Sequence, residues 1–309
     1  MLTFLLSLWD RFIFFLFKRI IRKHVLQPQL KELEQLKFQQ GQTYFNLLEI
    51  NKVYEKWTPD FGLEQFEYKV FSQWGQDGII QFLIYYFNVN DKLFIEFGSS
   101  HYLEANTRFL LMRNNWKGLI IDGSSKNINS IKSDEIYWRY NLTAVESFIT
   151  RDNINQLIEN NGFTGNIGLL SIDIDGNDYH VWEAISVVNP AIVIIEYNTA
   201  VGADKAITIP YQPDFERFKA HYSGLYFGAS LCALEILGNK KGYRFIYCNE
   251  NGNDAFFVRE DIVKDKGVEI KSIFKNSNFR MSKDKNGNLN YLTSNQAFEL
   301  IRHLPFIEI

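Results

Sequence analysis

From about Phe71 onward, short apolar runs alternate with amphipathic stretches along the chain. The runs that predict buried strands are rich in Ile, Leu, Val and Phe, and they cover residues 92–97, 118–121, 137–145, 167–174 and 191–197. Helices are predicted between or after these runs at 104–116, 152–160 and 179–187. Strands that alternate with helices at this spacing indicate crossover connections and a mainly parallel sheet. Continuous apolar runs are typical of parallel strands buried on both faces.

The order of elements changes after Gly224. A helix is predicted over residues 225–237, followed by strands at 243–247 and 255–258. The sequence CNENGN between these strands is a Gly/Asn-rich turn, the kind that joins an antiparallel pair. We therefore predict an α/β fold with a Rossmann-like, mainly parallel sheet that a terminal antiparallel hairpin completes.

Residues 1–24 are rich in Phe, Leu, Ile and Trp, and we predict that they form an amphipathic helix. The longest unbroken apolar run, 12–17, is much shorter than the roughly 20 residues of a spanning helix. The polar residues Ser7, Arg11, Lys18 and Arg22 follow helical spacing and form one stripe. Such a helix suits a membrane surface, with its basic side chains at the headgroups. Docking on the protein or on a second subunit, and a true span, are the alternatives.

The remaining chain is divided by its pattern into three parts. A helical connector is predicted at 25–65, the main α/β domain at 66–262 and a C-terminal extension at 263–309, so that the fold carries an N-terminal helical extension. Three leucines of the connector lie at heptad-like spacing, but a coiled coil needs about three or four heptads. An oligomer is therefore compatible with the sequence without being required by it.

Composition restricts the partners and the compartment. The formal net charge is −3, so the whole protein has no electrostatic reason to bind nucleic acid. The two cysteines, Cys232 and Cys248, suggest neither a disulfide framework nor a zinc site. A reducing compartment suits this usage, and with the N-terminal helix it predicts a cytoplasmic protein at the inner face of a membrane.

The ends of the first two predicted strands carry a possible cofactor site. Gly98 follows the first strand, where a glycine permits a tight turn, and Asp122 ends the second strand. An acidic residue in that place can accept hydrogen bonds from ribose hydroxyls. The dinucleotide fingerprint G-x-G-x-x-G is incomplete, because Ser100 and Leu103 replace its later glycines. This favours a cofactor with a ribose and no pyrophosphate, although a plain turn and a helix cap would give the same residues.

Seven segments in order along the chain resemble FkbM-like methyltransferases. They are FSQWGQD (71–77), FIEFGSS (94–100), GLIIDGS (118–124), LLSIDIDGNDYHVWEAI (169–185), IIEYN (194–198), YFGASLCAL (226–234) and KGYRFIYCNENGNDAFFVR (241–259). The resemblance implies a class I methyltransferase fold and S-adenosylmethionine as cofactor. It also implies O-methylation of a sugar hydroxyl in surface-polysaccharide biosynthesis, with a glycan or another small hydroxylated molecule as acceptor.

The resemblance also assigns cofactor-binding roles. Glu96, Gly98 and Ser99 would line the methionine portion and Asp122 would bind the ribose. Gly123 and Ser124 would lie near the adenine, and Gln73, Gln76 and Asp77 near the cofactor's carboxylate or over the pocket.

A cluster of acidic residues is predicted at the ends of the fourth and fifth strands. Asp173 and Asp175 alternate along the fourth strand, and Glu196 ends the fifth. Oxygen ligands of this kind suit Mg²⁺ or Ca²⁺, and a metal ion would activate an acceptor hydroxyl. In the alternative, Asp173 contacts the cofactor's amino group, while Asp175 and Asp178 cap the next helix.

His180 is the predicted general base, because its ordinary pKa lies near neutrality and it follows the DIDGND run. Asp173 and Asp175 complete the predicted catalytic set. A surface position for His180 is the alternative, with His101 and His221 in reserve. The YFGAS segment and residues 253–257 are predicted to form the acceptor side.

Two further hypotheses compete with the methyltransferase. One is a non-catalytic, membrane-associated scaffold that keeps the fold. The other is an enzyme that uses a nucleotide sugar, since one fold serves many chemistries.

Overall fold

The computed structural model describes residues 26–58, 62–267 and 274–309, so the helix predicted at 1–24 lies outside the described residues. The chain divides into two units at Asn51–Lys52. In the first unit, helix α1 (Gln27–Ile50) confirms the helical nature of the connector. Pro28 lies in its first turn, where the missing N–H has no intrahelical partner to lose. None of the described helices is both long and apolar enough to cross a bilayer.

A seven-stranded sheet forms the centre of the second unit, in the order β3-β2-β1-β4-β5-β8-β7. Its strands are β1 (Leu93–Phe97), β2 (Lys117–Asp122), β3 (Leu142–Glu146), β4 (Gly165–Ile172), β5 (Val188–Glu196), β7 (Tyr243–Cys248) and β8 (Asp254–Arg259). Strands β1 to β5 pair in parallel, whereas β8 is antiparallel to both β5 and β7. This is a Rossmann-like α/β arrangement, and the prediction of a parallel sheet ending in an antiparallel hairpin is confirmed.

Helices connect the strands on both sides of the sheet, as crossovers between parallel strands require. The described helices of this unit are α2 (Gln76–Tyr86), α3 (Arg108–Asn114), α4 (Ser125–Ser133), α5 (Glu135–Arg139), α6 (Ile154–Asn160), α7 (Asp178–Ala184), α8 (Arg217–Ala220), α9 (Leu231–Lys240), α10 (Glu260–Lys266) and α11 (Ser294–Ile301), with 3₁₀ turns at Leu63–Phe66 and Thr199–Val201.

The central strands are mostly apolar because both of their faces are covered. Phe94 and Ile95 point to opposite faces of β1, and each is fully buried. The last six residues of β4 and eight of the nine in β5 are buried or half-buried in the same way. The apolar runs in the sequence therefore reflect burial between two layers of helices.

Two predicted elements differ from the structure for local reasons. The helix predicted from residue 225 begins only at Leu231, because Gly228 has a left-handed φ of +57° and Ser230 caps the helix by accepting a hydrogen bond from the Ala233 N–H. The strand predicted from 137 begins at Leu142. The residues before it form α5, which the Asp134 carboxylate caps.

The C-terminal residues pack on the α/β domain. Strand β11 (Ile307–Glu308) pairs antiparallel with β6 (Ile207–Thr208), and Ala297 and Ile301 of α11 are buried in one apolar cluster with Leu225. Strands β9 (Ser282–Lys283) and β10 (Leu289–Asn290) form a separate small hairpin. The described part of 263–309 thus belongs to the same unit as the sheet, as do the described residues from Lys52 onward.

Candidate functional site

Two adjoining cavities lie at the carboxyl ends of the parallel strands, beside the point where the strand order reverses between β1 and β4. The Asp122 cavity has a volume of about 310 Å³, and the Glu96 cavity one of about 320 Å³. Gly98, Ser100 and Asp173 line both cavities. The two spaces therefore form one bipartite cleft that these three residues divide.

The turn after β1 is shaped by two left-handed residues. Gly98 has a φ of +71°, and a Cβ atom added there would lie 1.7 Å from the carbonyl oxygen of Asp173. Ser100 also has a left-handed φ, of +54°. Its N–H donates to the Asp122 carboxylate at 3.1 Å, which supports a conformation that L-residues seldom adopt. The turn therefore links the ends of β1 and β2.

The Asp122 carboxylate is held at the end of β2 by three donors. The N–H groups of Ser100 and Ser124 donate to it at 3.1 and 2.8 Å, and the Asn127 side-chain amide donates at 3.0 Å. An ionised carboxylate offers about four acceptor positions, so it can still accept a hydrogen bond from a ligand hydroxyl. This fixed, buried carboxylate is consistent with the predicted ribose contact.

The wall beside Asp122 offers an aromatic surface. The Phe148 side chain is 50% exposed although it lines the cavity, and Gly123 lies next to it. An exposed ring in a polar cavity provides a face on which a nucleobase can stack. Ser124 does not line the cavity, contrary to its predicted place near the adenine. Its hydroxyl caps α4, and its N–H orients Asp122.

The Glu96 cavity combines carboxylates with amides. Gln73, Gln76 and Ser99 line it, and the Gln76 amide donates to the Asp254 carboxylate at 2.5 Å. The Ser99 hydroxyl and the His101 Nδ1 are enclosed and have no hydrogen-bond partner among the described residues. These two polar atoms are available to a ligand in this cavity, which contains the residues predicted for the methionine portion.

Glu96 also organises the loop that forms the cavity. Its carboxylate accepts hydrogen bonds from the N–H groups of Asn106 and Thr107 and from the Thr107 hydroxyl. Burial nevertheless raises the pKa of Glu96 to about 7. The side chain is thus both a wall of the cavity and the anchor of residues 106–107.

Asp77 has a structural role and does not line the cavities near which it was predicted to lie. One of its oxygens accepts hydrogen bonds from the N–H groups of Val70, Phe71 and Ser72 and from the Ser72 hydroxyl. These bonds tie α2 to the segment before it, and Asp77 lines neither cavity. Its neighbour Gln76 is the residue of α2 that reaches the Glu96 cavity.

The Asp, Glu, Lys and Arg side chains that line the cleft are all acidic. None of the described residues that line the two cavities is Lys or Arg. The acidic side chains that line them are Asp122, Asp173 and Asp175 in one cavity and Glu96, Glu104, Asp173 and Asp254 in the other. The cleft is therefore suited to a cationic ligand and offers no basic side chain to a phosphate.

Asp173, Asp175 and Glu196 come together as predicted, with carboxylate oxygens within 4.8 Å of one another. Arg217 was not predicted to belong to this cluster, but its guanidinium contacts Asp175 at 2.5 Å and Glu196 at 3.9 Å. Enclosure and the neighbouring carboxylates, Asp175 first among them, raise the pKa of Asp173 well above its usual range. The cluster thus already contains a cation.

Asp175 reaches the cluster by a turn, because β4 ends at Ile172 and does not continue to residue 175. Its φ is +57°, and the Asp178 carboxylate holds the turn by accepting hydrogen bonds from the N–H groups of Ile174 and Gly176 at 2.8 Å each. Neither Asp175 nor Asp178 caps α7 in the way the alternative reading required. The N-cap residue there is Asn177, without a side-chain cap bond.

His180 does not occupy the position of a general base. Its side chain is buried, with Nε2 bonded to the carbonyl oxygen of Ile209 at 2.8 Å, and it packs edge-on against Tyr211. It lines neither cavity, and burial lowers its pKa. The sequence pattern placed His180 just after the acidic run, but it could not show that the side chain points to Ile209 and Tyr211 and not into the cleft.

Sequence reasoning missed Arg217 and Phe148 because neither lies in a motif or in a periodic segment. Asp254 was assigned to the acceptor side, but it lines the Glu96 cavity together with Asn253. The antiparallel register pairs Asp254 with Glu196, which brings the hairpin to the ends of the parallel strands.

No protein-family model matches the chain, and no curated protein matches it. Among solved structures it is similar to the N-terminal domain of EvdMO1 with SAH bound, at 10% identity, a TM-score of 0.38, and coverage of 70% of this chain and 94% of that one. It is also similar to an O-methyltransferase from Bacillus cereus in complex with SAH, at 15% identity, a TM-score of 0.38, and coverage of 70% of this chain and 89% of that one. A third similar structure is an O-methyltransferase family protein from Burkholderia thailandensis, at 10% identity, a TM-score of 0.39, and coverage of 66% of this chain and 59% of that one. Likenesses this distant leave the function to the geometry of the site.

Proposed function

We propose that this protein is an S-adenosylmethionine-dependent methyltransferase. The observation that carries the proposal is the charge of the bipartite cleft, whose lining includes six carboxylates and, among the described residues, no Lys or Arg. A cofactor with phosphates needs cationic side chains or a row of N–H donors. S-adenosylmethionine has no phosphate, and it carries positive charge on its sulfonium and its ammonium groups.

The residues of the cleft fit the two halves of this cofactor. Asp122 would hold the ribose hydroxyls, with Phe148 against the adenine. Glu96 and Asp254 would face the ammonium group, and the unpartnered Ser99 hydroxyl lies in the same cavity. The same charge distribution disfavours a nucleotide sugar, because its diphosphate would meet several carboxylates and, among the described lining residues, no Lys or Arg.

Asp173 is suited to receive the proton of the acceptor hydroxyl, because it lines both cavities and so borders the place where the two halves of the cofactor join. When bound, the cofactor supplies a methyl group to an oxygen that attacks in line with the carbon–sulfur bond. Burial and the neighbouring carboxylates raise the pKa of Asp173, which makes its carboxylate a stronger base than an ordinary aspartate. Asp173 is thus our candidate for the base in place of His180.

We infer from the resemblance to FkbM-like methyltransferases that the acceptor is a sugar hydroxyl in a surface glycan. The exposed Asp175 carboxylate and the unpartnered Asn177 Oδ1 border the Asp122 cavity, together with the Phe215 ring. Carboxylate and amide oxygens accept hydrogen bonds from hydroxyls, and an aromatic ring can pack against a sugar face. A position at the inner face of a membrane, through residues 1–24, belongs to the same proposal.

The choice of cofactor can be tested by thermal unfolding with S-adenosylmethionine, NAD and UDP-glucose in parallel. At 100 times its dissociation constant, a ligand of the folded state adds about 2.7 kcal/mol, which raises the Tm of a domain of this size by several degrees. We expect this shift with S-adenosylmethionine alone. A shift with UDP-glucose alone would support the nucleotide-sugar enzyme, and no shift with any of the three would support the non-catalytic scaffold.

A further inference from the structure

Arg217 is enclosed beside the acidic cluster and contacts two of its three carboxylates. Its side chain is 14% exposed, and its Nε donates to the carbonyl oxygen of Gly224 at 2.5 Å. The guanidinium carbon lies 3.6 Å from the ring centre of Phe227, at cation–π distance. One guanidinium nitrogen then faces Asp175 and Glu196. The contacts with Gly224, Phe227 and the two carboxylates together fix the position of the guanidinium charge.

The three carboxylates alone would be a plausible site for a hard divalent cation. With Arg217 present the site does not fit one, because a metal ion at about 2.1 Å from the same Asp175 oxygen would lie within roughly 5 Å of the guanidinium. A divalent cation would be repelled there and would compete for an oxygen that is already bonded. Burial by itself would lower the pKa of Arg217, but Glu196, Asp175 and Asp173 raise it, so the side chain stays charged.

We propose that Arg217 is the resident cation of the Asp173–Asp175–Glu196 cluster and takes the place of a divalent metal ion, so that the site works without one. The arginine then acts as a positioning residue: it holds Asp175 in its left-handed turn and neutralises part of the charge around Asp173. Two enclosed oxygens, Glu196 Oε2 and Asn177 Oδ1, have no partner among the described residues and are left for acceptor hydroxyls. Their role in the reaction rests on the proposed function.

The test is a titration of the full-length protein with Mn²⁺, followed by the loss of the free-ion paramagnetic resonance signal. We expect no binding to the wild type below about 1 mM. Arg217→Gln leaves three uncompensated carboxylates, and it should bind one Mn²⁺ at least about tenfold more tightly than the wild type. Arg217→Lys keeps the charge and should exclude the ion as the wild type does.

Arg259→Gln is the matched control. Arg259 is similarly enclosed, at 19% exposure, and pairs with Asp261 at the opposite end of the sheet. It should leave Mn²⁺ binding unchanged. Tight Mn²⁺ binding to the wild type that Asp175→Asn removes would overturn the proposal, and so would a folded Arg217→Gln that binds no ion. If Arg217→Gln does not fold, the wild type and Arg217→Lys decide.

The same samples are titrated with S-adenosylmethionine, in EDTA and in Mg²⁺. The wild type is expected to bind S-adenosylmethionine with equal affinity in EDTA and in Mg²⁺. Failure to bind S-adenosylmethionine would reject the proposed function while leaving the Mn²⁺ result to decide the role of Arg217.

Discussion

At the scale of single residues, the cleft depends on a backbone conformation that side chains rarely tolerate. Gly98→Ala should weaken S-adenosylmethionine binding at least about tenfold, because the new Cβ would meet the Asp173 carbonyl oxygen and displace the wall that both cavities share. We expect a loss in the free energy of unfolding of about 1–3 kcal/mol as well. Calorimetric titration and urea unfolding measure the two effects.

Gly242→Ala is the control for this substitution. Gly242 has a similar φ of +82°, but nothing lies within 4 Å of the place where its Cβ would be. It should lose stability through backbone strain and keep the cofactor affinity. Equal loss of binding in both variants would show that Gly98 has no specific part in the cleft.

Several carboxyl groups of the cleft must be ionised to attract a cationic ligand. Burial raises the pKa of Glu96 to about 7 and that of Asp254 to about 6, so both hold protons in mildly acidic solution. Both groups lose their protons between about pH 5.5 and pH 7.5. S-adenosylmethionine should therefore bind more tightly at pH 7.5 than at pH 5.5, and its binding should release protons. Calorimetry in buffers of different ionisation enthalpy measures that release. Tighter binding at the lower pH would contradict the cationic cofactor.

Residue-level prediction from sequence succeeded where a motif fixes a backbone position and failed where tertiary contacts decide. Gly98 directly follows β1 and Asp122 is the last residue of β2, so their location was predictable. The direction of the His180 side chain depends on how α7 packs against the segment that contains Ile209. Arg217 comes from a segment without periodicity. Neither can be read from spacing along the chain.

At the scale of elements, Asp77 joins α2 to the segment before it. Asp77→Asn should lower the free energy of unfolding by about 1–3 kcal/mol, because an amide cannot accept all the hydrogen bonds that one carboxylate oxygen accepts here. Asp91→Asn, at an exposed position, is the control. Urea unfolding checks the difference, and equal stability of the two variants would argue against the anchoring role.

The predicted N-terminal helix is a separate element with its own test. The full-length protein should float with anionic liposomes, and a protein that begins at Gln27 should not, because the basic stripe and aromatic residues of 1–24 would be missing. Equal flotation of the two proteins would exclude the interfacial helix. High salt should weaken the binding of the full-length protein, since surface charges are screened.

Strands were more predictable than helix boundaries. A strand buried on both faces is mostly apolar along its length, and β1, β2, β4 and β5 lie within a few residues of the predicted runs. The start of α9 depends on a left-handed Gly228 and a Ser230 cap, and these override an apolar pattern that is compatible with a longer helix.

At the scale of the whole molecule, the buried acids make stability depend on pH. Glu96, Asp178 and Asp254 all have a pKa raised by burial, to about 7, 6 and 6. Between the unfolded and folded pKa values the folded state binds more protons, so the free energy of unfolding falls as the pH rises through that window. We expect the protein to be about 2–3 kcal/mol more stable at pH 5.5 than at pH 7.5. Urea unfolding at the two values measures it, and greater stability at pH 7.5 would contradict the burial of these groups as acids.

The order of strands in the sheet could be predicted only as a class. Right-handed crossovers limit how five parallel strands and a hairpin can be arranged, but the sequence contains no direct sign that β8 lies between β5 and β7. That arrangement brings Asp254 beside Glu196 and completes the acidic cleft, which is why the charge of the site became evident only in the folded molecule.

The central claim is that this acidic cleft binds S-adenosylmethionine, and calorimetric titration of the full-length protein tests it most directly. We predict one site per chain with a dissociation constant of about 1–100 µM. Asp122→Asn should weaken it at least about tenfold, and Asp134→Asn, which alters an aspartate that caps α5, should leave it unchanged. No binding to the folded wild-type protein, or binding that is equal in both variants, would contradict the account.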